Sequence, residues 1–123
     1  NNYEISIDVE TRFVDHQSDP EKNRYVFAYT ITIENTGAIS AQLITRHWVI
    51  TDATGHIEEV RGEGVVGEQP NLAPGESFRY TSPAMIATPV GTMHGSYQMR
   101  AADGTAFDAT IRAFRLSLPN ILH

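Results

Sequence analysis

The sequence predicts an all-β chain, an antiparallel two-sheet sandwich of about seven strands of the immunoglobulin-like or fibronectin type III-like kind. Three observations carry this. Apolar residues recur with period two along most of the chain. Clusters of Gly, Pro, Asn and Asp divide it into short segments. No window of about ten residues shows a helical period. A length of 123 residues fits one domain, 1–123.

Tyr3, Ile5, Ile7 and Val9 alternate with Glu4, Ser6, Asp8 and Glu10, and Phe13 continues the face, which reads as a half-buried strand. Gln17 to Asn23 is polar and is expected to be a hairpin loop. Arg24 to Thr36 is the strongest strand, dense in aromatic and β-branched residues. Phe27, Tyr29, Ile31 and Ile33 share one face, with Val26, Ala28, Thr30 and Thr32 on the other. Asn35-Thr36-Gly37 ends it. The third strand, Ala41 to Asp52, is expected to set Ile44, Trp48 and Ile50 against Leu43, Thr45, His47 and Val49. Thr54-Gly55 is a turn, and His56 to Arg61 a more polar strand. Residues 62–76 (GEGVVGEQPNLAPGE) hold too much Gly and Pro for a helix and are expected to cross tightly from one sheet to the other. Glu76 to Ser82 sets Phe78 and Tyr80 against Arg79 and Thr81.

Pro83 to Gly95 is expected to be a second irregular stretch, followed by a strand from Ser96 to Ala101 with Tyr97 and Met99 on one face. Asp103-Gly104 is a hairpin signal. The last strand, Thr105 to Leu118, aligns Phe107, Ala109, Ile111 and Ala113, with a bulge expected before Phe114, Leu116 and Leu118; Pro119 stops it. Two details favour the immunoglobulin-like choice. Trp48 lies midway along the third strand, and Tyr97-Gln98-Met99 has the spacing of a tyrosine corner, with Met99 where antibody domains carry a cysteine.

Composition bounds the chemistry. There is no cysteine, which excludes disulfides, thiolate metal sites and a thiol nucleophile. The formal net charge of −6 argues against a nucleic-acid or anionic-membrane partner, each of which needs a basic face. No apolar run is long enough to span a bilayer. No signal peptide is visible, and a cytoplasmic location is the simplest expectation. The chain starts at Asn1 rather than Met, which leaves room for a short preceding segment.

The sharpest motif is Gly62-Glu63-Gly64-Val65-Val66-Gly67, which fits GxGxxG. In a dinucleotide site such glycines let amides approach a pyrophosphate at a helix N-terminus. Here Glu68-Gln69-Pro70-Asn71 follows, so there is no helix, and Glu63 and Glu68 add negative charge. What survives is an anion-binding nest of amides at Gly62, Gly64 and Gly67, with Arg61 as counter-charge. His16, His47, His56, His94 and His123 lack ligand spacing; a hairpin would let His47 and His56 face each other, and two or three histidines with a carboxylate are one route to a divalent metal. No serine has a nucleophile-elbow setting, and Glu58-Glu59 point to opposite strand faces, so no enzyme is expected. Met85, Ile86 and Met93, if exposed in the 81–95 stretch, would form a partner-binding patch.

Over nearly its whole length, Tyr3 to His123, the chain resembles the ApaG family. The densest matches are Arg24-Tyr25-Val26-Phe27-Ala28-Tyr29, the 62–70 stretch, Leu72-Ala73-Pro74-Gly75-Glu76, Gly91-Thr92-Met93-His94-Gly95-Ser96-Tyr97-Gln98-Met99 and Phe114-Arg115-Leu116-Ser117-Leu118-Pro119. Where the family often has Gly after Tyr-Thr-Ser, this chain has Pro83. The resemblance implies a fibronectin-type sandwich, a link to cobalt tolerance and magnesium handling, and, from eukaryotic copies within larger proteins, a protein-interaction role. The expectation is therefore a small non-enzymatic bacterial binding module without a cofactor, monomer or homodimer, with a protein partner. The alternatives are a phosphate-containing small molecule on the Arg61–Gly67 loop or a divalent metal.

Overall fold

A computed structural model of the chain describes residues 2–119. Eight strands follow in order: β1 (Ile5–Phe13), β2 (Tyr25–Asn35), β3 (Ala41–Asp52), β4 (Ile57–Glu63), β5 (Asn71–Leu72), β6 (Ser77–Ile86), β7 (Val90–Ala101) and β8 (Ala106–Ser117). One sheet runs β1-β2-β6 and the other β4-β3-β7-β8, with β5 pairing β3 beyond the end of β4. Every pairing is antiparallel. The sheets pack face to face as the period-two pattern requires. Phe27, Tyr29, Ile31 and Ile33 of β2 meet Leu43 and Trp48 of β3, Tyr97 and Met99 of β7, and Ile111 and Leu116 of β8. Two 3-10 turns, Asp15–Gln17 and Pro20–Lys22, shape the expected polar loop between β1 and β2. Among the described residues no helix is long and apolar enough to cross a membrane.

The count exceeds about seven only by the two-residue β5. Residues 64–76 make the expected crossing, leaving the four-stranded path after β4, touching β3 through β5, and entering the other sheet at β6. Both hairpin signals hold. Gly55 and Gly104 each take a positive φ, and each donates its N–H back to a strand end, at Asp52 and Ala101.

Three expectations are corrected. First, Pro83–Gly95 is not irregular. β6 continues to Ile86 and β7 begins at Val90, leaving only 87–89 as the turn. Pro83 lies inside β6, opposite Ala28; β6 pairs only with β2, and an edge strand tolerates a residue without an N–H. Second, Leu43 shares the core face with Trp48. A bulge at Ile44 shifts the register between Leu43 and Thr45, so two residues an odd number apart point the same way. The bulge expected in the last strand is present: Met93 opposes Phe114 while Gly95 opposes Ile111, which returns Phe114 and Leu116 to the core side. Third, Tyr97 is not a tyrosine corner. Its hydroxyl bonds that of Tyr80 across the sheets at 2.6 Å. Asn35, the one buried polar residue among those described, is satisfied: its Nδ2 donates to Ile39 O and Leu72 O and its Oδ1 accepts from Gly37 N, each at 2.9 Å.

Candidate functional site

The sandwich opens between the free edges of β4 and β6. Arg46 stands in this opening. It shares the inward face of β3 with Trp48, and the register sets it opposite Tyr97 on β7 and Gly62 on β4. A cation directed between two sheets needs room, and Gly62 supplies it: a Cβ there would lie 2.8–2.9 Å from the guanidinium. Nη1 of Arg46 donates to the carbonyls of Glu63 and Gly64, at 2.9 Å each. A guanidinium has five N–H donors, and these bonds engage the Nη1 pair. Among the described residues the ion pairs are His47 with Glu59 and Arg79 with Glu10, each at 3.1 Å, so no carboxylate neutralises Arg46.

Three cavities follow the opening. One of about 320 Å³ is lined by Tyr29, Arg46, Glu63, Val65, Val66, Gly67, Tyr80 and Ser82. The next, about 180 Å³, shares Tyr29, Arg46 and Ser82 and adds Trp48, Ile50, Val60, Pro83, Ala84 and Met93. A third, about 340 Å³, shares Ile50 and continues to Lys22, Arg24, Glu58, Met85 and Ile86. The first two share three residues and the third meets them only at Ile50, so the hollows succeed one another along the edge of the sandwich and are called the cleft below. Exposed apolar side chains mark its ends, Val66 at 56% and Met85 at 58%. The indole Nε1 of Trp48 is buried and has no acceptor among the described residues.

The phenols of the cleft, Tyr29 and Tyr80, and that of Tyr97 buried behind them are shifted upward. Burial raises Tyr29, opposed by a hydrogen bond with Ser82 and by the charge of Arg46. Burial also raises Tyr80, with the Tyr97 hydrogen bond pulling against it, and raises Tyr97 further with the help of Tyr80. All three stay protonated at neutral pH and act as neutral hydroxyls.

The glycine motif is a hairpin tip. Val65 N donates to Glu68 O at 2.8 Å and Glu68 N to Val65 O at 2.9 Å. The residues between, Val66 and Gly67, have φ of 44° and 80°, the pair of positive values a type I′ turn requires. A β-branched residue is strained in that region, so Val66 is held there by the turn around it. Gly64 has φ 62°, and a Cβ on it would overlap the Glu68 carbonyl. The amides of Gly64, Val65 and Glu68 are bonded to Ile44, Glu68 and Val65, which leaves only those of Val66 and Gly67 at the turn tip without a backbone acceptor among the described residues.

The other sequence-derived candidates separate. Arg61 pairs with His47 on the outer face, where it borders a shallow hollow with Thr45, Gln98 and Asp108 that Arg46 also reaches. Met85 is exposed, but Ile86 and Met93 are buried at 7% and 1%. The expected three-residue patch thus reduces to Met85, because both stretches flanking 87–89 are strands with inward-facing positions. His47 bonds Glu59 rather than facing His56, whose N–H is held by Asp52. Among the described residues no three His, Asp or Glu side chains gather as a metal site. His123 lies outside the described residues. Arg46, Tyr29 and Ser82 were not singled out from sequence. The available signal was Arg46 two residues before Trp48, a cation in phase with a core tryptophan.

Comparison with known proteins agrees with this architecture. A family profile described as the ApaG domain matches residues 15–101. The chain is 62% identical over 121 residues to Protein ApaG of Azoarcus sp. (strain BH72), covering 98% of this chain and 95% of that one. It is 63% identical over 121 residues to Protein ApaG of Thiobacillus denitrificans, at 98% and 95% coverage. A crystal structure described as the putative ApaA protein from Bordetella pertussis superimposes with a TM-score of 0.94 at 50% identity, covering 97% of each chain. With fold and sequence in agreement over nearly its full length, this chain belongs to the ApaG family.

Proposed function

We propose that the chain is a binding module that holds an extended segment of a partner protein in the cleft between β4 and β6 and performs no reaction on it. The observation that carries this is the succession of hollows from Val66 to Met85, with an exposed apolar side chain at each end and a hydrogen-bonding centre between them. An extended chain matches such a groove, contributing apolar contacts at intervals and polar groups between them. The neutral phenols of the cleft support a binding role, since a protonated tyrosine offers a hydrogen bond and not a base. Against a metal ion stand the pairing of His47 with Glu59 on the outer face and, at the Met85 end of the cleft, the fact that His56, Asp52 and Glu58 line the hollow without gathering as a ligand set among the described residues. The link to cobalt tolerance and magnesium handling would then act through the partner.

Amide-shift mapping with a library of short peptides tests this. Binders are expected to shift signals on β4, β6 and the 64–68 turn. Shifts confined to the outer face of β3, β7 and β8 would overturn it.

A further inference from the structure

We propose that the Arg46 end of the cleft is an oxyanion subsite that takes a carboxylate or phosphate group of the ligand. The inference rests on the cleft being the ligand site and adds the chemistry of what enters it.

Two independent features point to an anion. The first is the state of Arg46. Its Nη1 hydrogens are held by the carbonyls of Glu63 and Gly64, which fix the plane of the guanidinium against Gly62. The remaining donors, on Nε and Nη2, bond no described residue, and no described carboxylate pairs with the group. A guanidinium anchored on one side and open on the other is arranged for a two-pronged bond to an oxyanion. The second is Trp48. Its buried N–H lacks an acceptor, and Trp48 lines the same cavity as Arg46 and Ser82. An orphaned buried donor is rare, and a ligand oxygen is one way to satisfy it. The Tyr29 and Ser82 hydroxyls, which hydrogen-bond each other, line the same cavity. Glu63 borders the site, but its carbonyl is spent on Arg46, and its register opposite Thr45 directs its side chain to the outer face.

The test uses the full chain and NMR. The single tryptophan gives one indole N–H signal, an unambiguous reporter beside the site. Inorganic phosphate and acetate are titrated separately at constant ionic strength, with acetamide as the neutral match for acetate. Saturable shifts of the Trp48 indole and the Arg46 Nε–H are expected with one or both anions and not with acetamide; the anion that binds more tightly identifies the preferred group. Arg46→Gln is expected to weaken binding about tenfold or more, as loss of a charge-assisted bond implies. Ser82→Ala, which leaves the Arg46 anchor intact, is expected to weaken it a fewfold and serves if Arg46→Gln unfolds. No saturable shift at either reporter with either anion overturns the subsite. So do equal shifts with acetamide, or shifts at Val66 and Gly67 that survive Arg46→Gln. If both anions fail while peptides still map to the β4 and β6 edges, only the subsite falls. If peptides map to the outer sheet face, the cleft reading falls with it.

Discussion

Alanine at position 62 isolates the contact on which the cleft depends. Gly62 is not at a positive φ, so in a strand the substitution alone is favourable by about 0.5–1 kcal/mol. The new methyl group, however, would lie 2.8–2.9 Å from Nη1, Cζ and Nη2 of Arg46. The neighbour that must yield is the far end of a flexible side chain, so the backbone stays and the guanidinium swings away. That breaks the bonds to Glu63 O and Gly64 O, one exposed and one part-buried. Charged hydrogen bonds contribute about 1.5–3 kcal/mol each when well desolvated, and about 1 kcal/mol each is a fair figure at this exposure. The net expected loss is about 1–1.5 kcal/mol, or a fall in Tm of about 4 °C for a domain of this size. Urea and thermal unfolding followed by Trp48 fluorescence measure it. The decisive comparison is the same substitution in an Arg46→Ala background, where the methyl group meets nothing and Gly62→Ala should become neutral or stabilising, giving a coupling of about 2 kcal/mol. Equal cost in both backgrounds, or stabilisation of the unmodified chain, would refute the account of Gly62 as the seat of the guanidinium.

The buried phenols set an alkaline limit. Tyr29, Tyr80 and Tyr97 have raised pKa values when folded, so their contribution is complete below about pH 10, where unfolded tyrosine begins to ionise. It is lost as pH rises toward the folded values, and the urea midpoint should fall from about pH 10 upward; a flat profile would count against neutral buried phenols. Met85 and Met93 should also part company. Met93→Ala empties a fully packed position and is expected to cost about 2–5 kcal/mol, whereas Met85→Ala should stay within about 0.5 kcal/mol of the parent while weakening peptide binding. Equal destabilisation by the two would refute the assignment of Met93 to the core and Met85 to the rim.

The fold was legible where burial imposes a period. β2 shows it best: it is central in its sheet, and Phe27, Tyr29, Ile31 and Ile33 are inward for the same reason that they alternate. Legibility failed where a local irregularity resets the period. The bulge at Ile44 puts Leu43 in phase with Trp48, and nothing in Leu43-Ile44-Thr45 announces an extra residue. Proline misled in the other direction. Pro83 reads as a breaker, yet β6 is an edge strand and accommodates it, so Met93 and Ile86 are core rather than patch. The site was harder to see because it is an interaction between sheets. Arg46, Tyr29 and Ser82 come from three strands, and only the pairing of β2 with β6 and the stacking of the sheets bring them together.

The glycine motif shows how a recognisable string acquires a different physical meaning. In a phosphate loop the glycines turn a row of amides toward the ligand, and the backbone supplies positive character. Here each glycine answers a separate demand: Gly62 leaves space for a guanidinium, Gly64 permits the chain to pass the Glu68 carbonyl, and Gly67 completes a tight turn with Val66. The amides of Gly64, Val65 and Glu68 are consumed within the fold, and what the start of the loop offers the cleft is carbonyl oxygen, at Glu63 and Gly64. Carbonyls repel an oxyanion but hold a cation, and the cation they hold is Arg46. The polarity of the motif is thus reversed: the loop positions the positive group instead of providing it. That accounts for Glu63 and Glu68 being tolerated within and beside it. It also makes the integrity of the turn and the placement of Arg46 a single property, so that a substitution at Gly64 would disturb the subsite by moving the oxygens that anchor its charge.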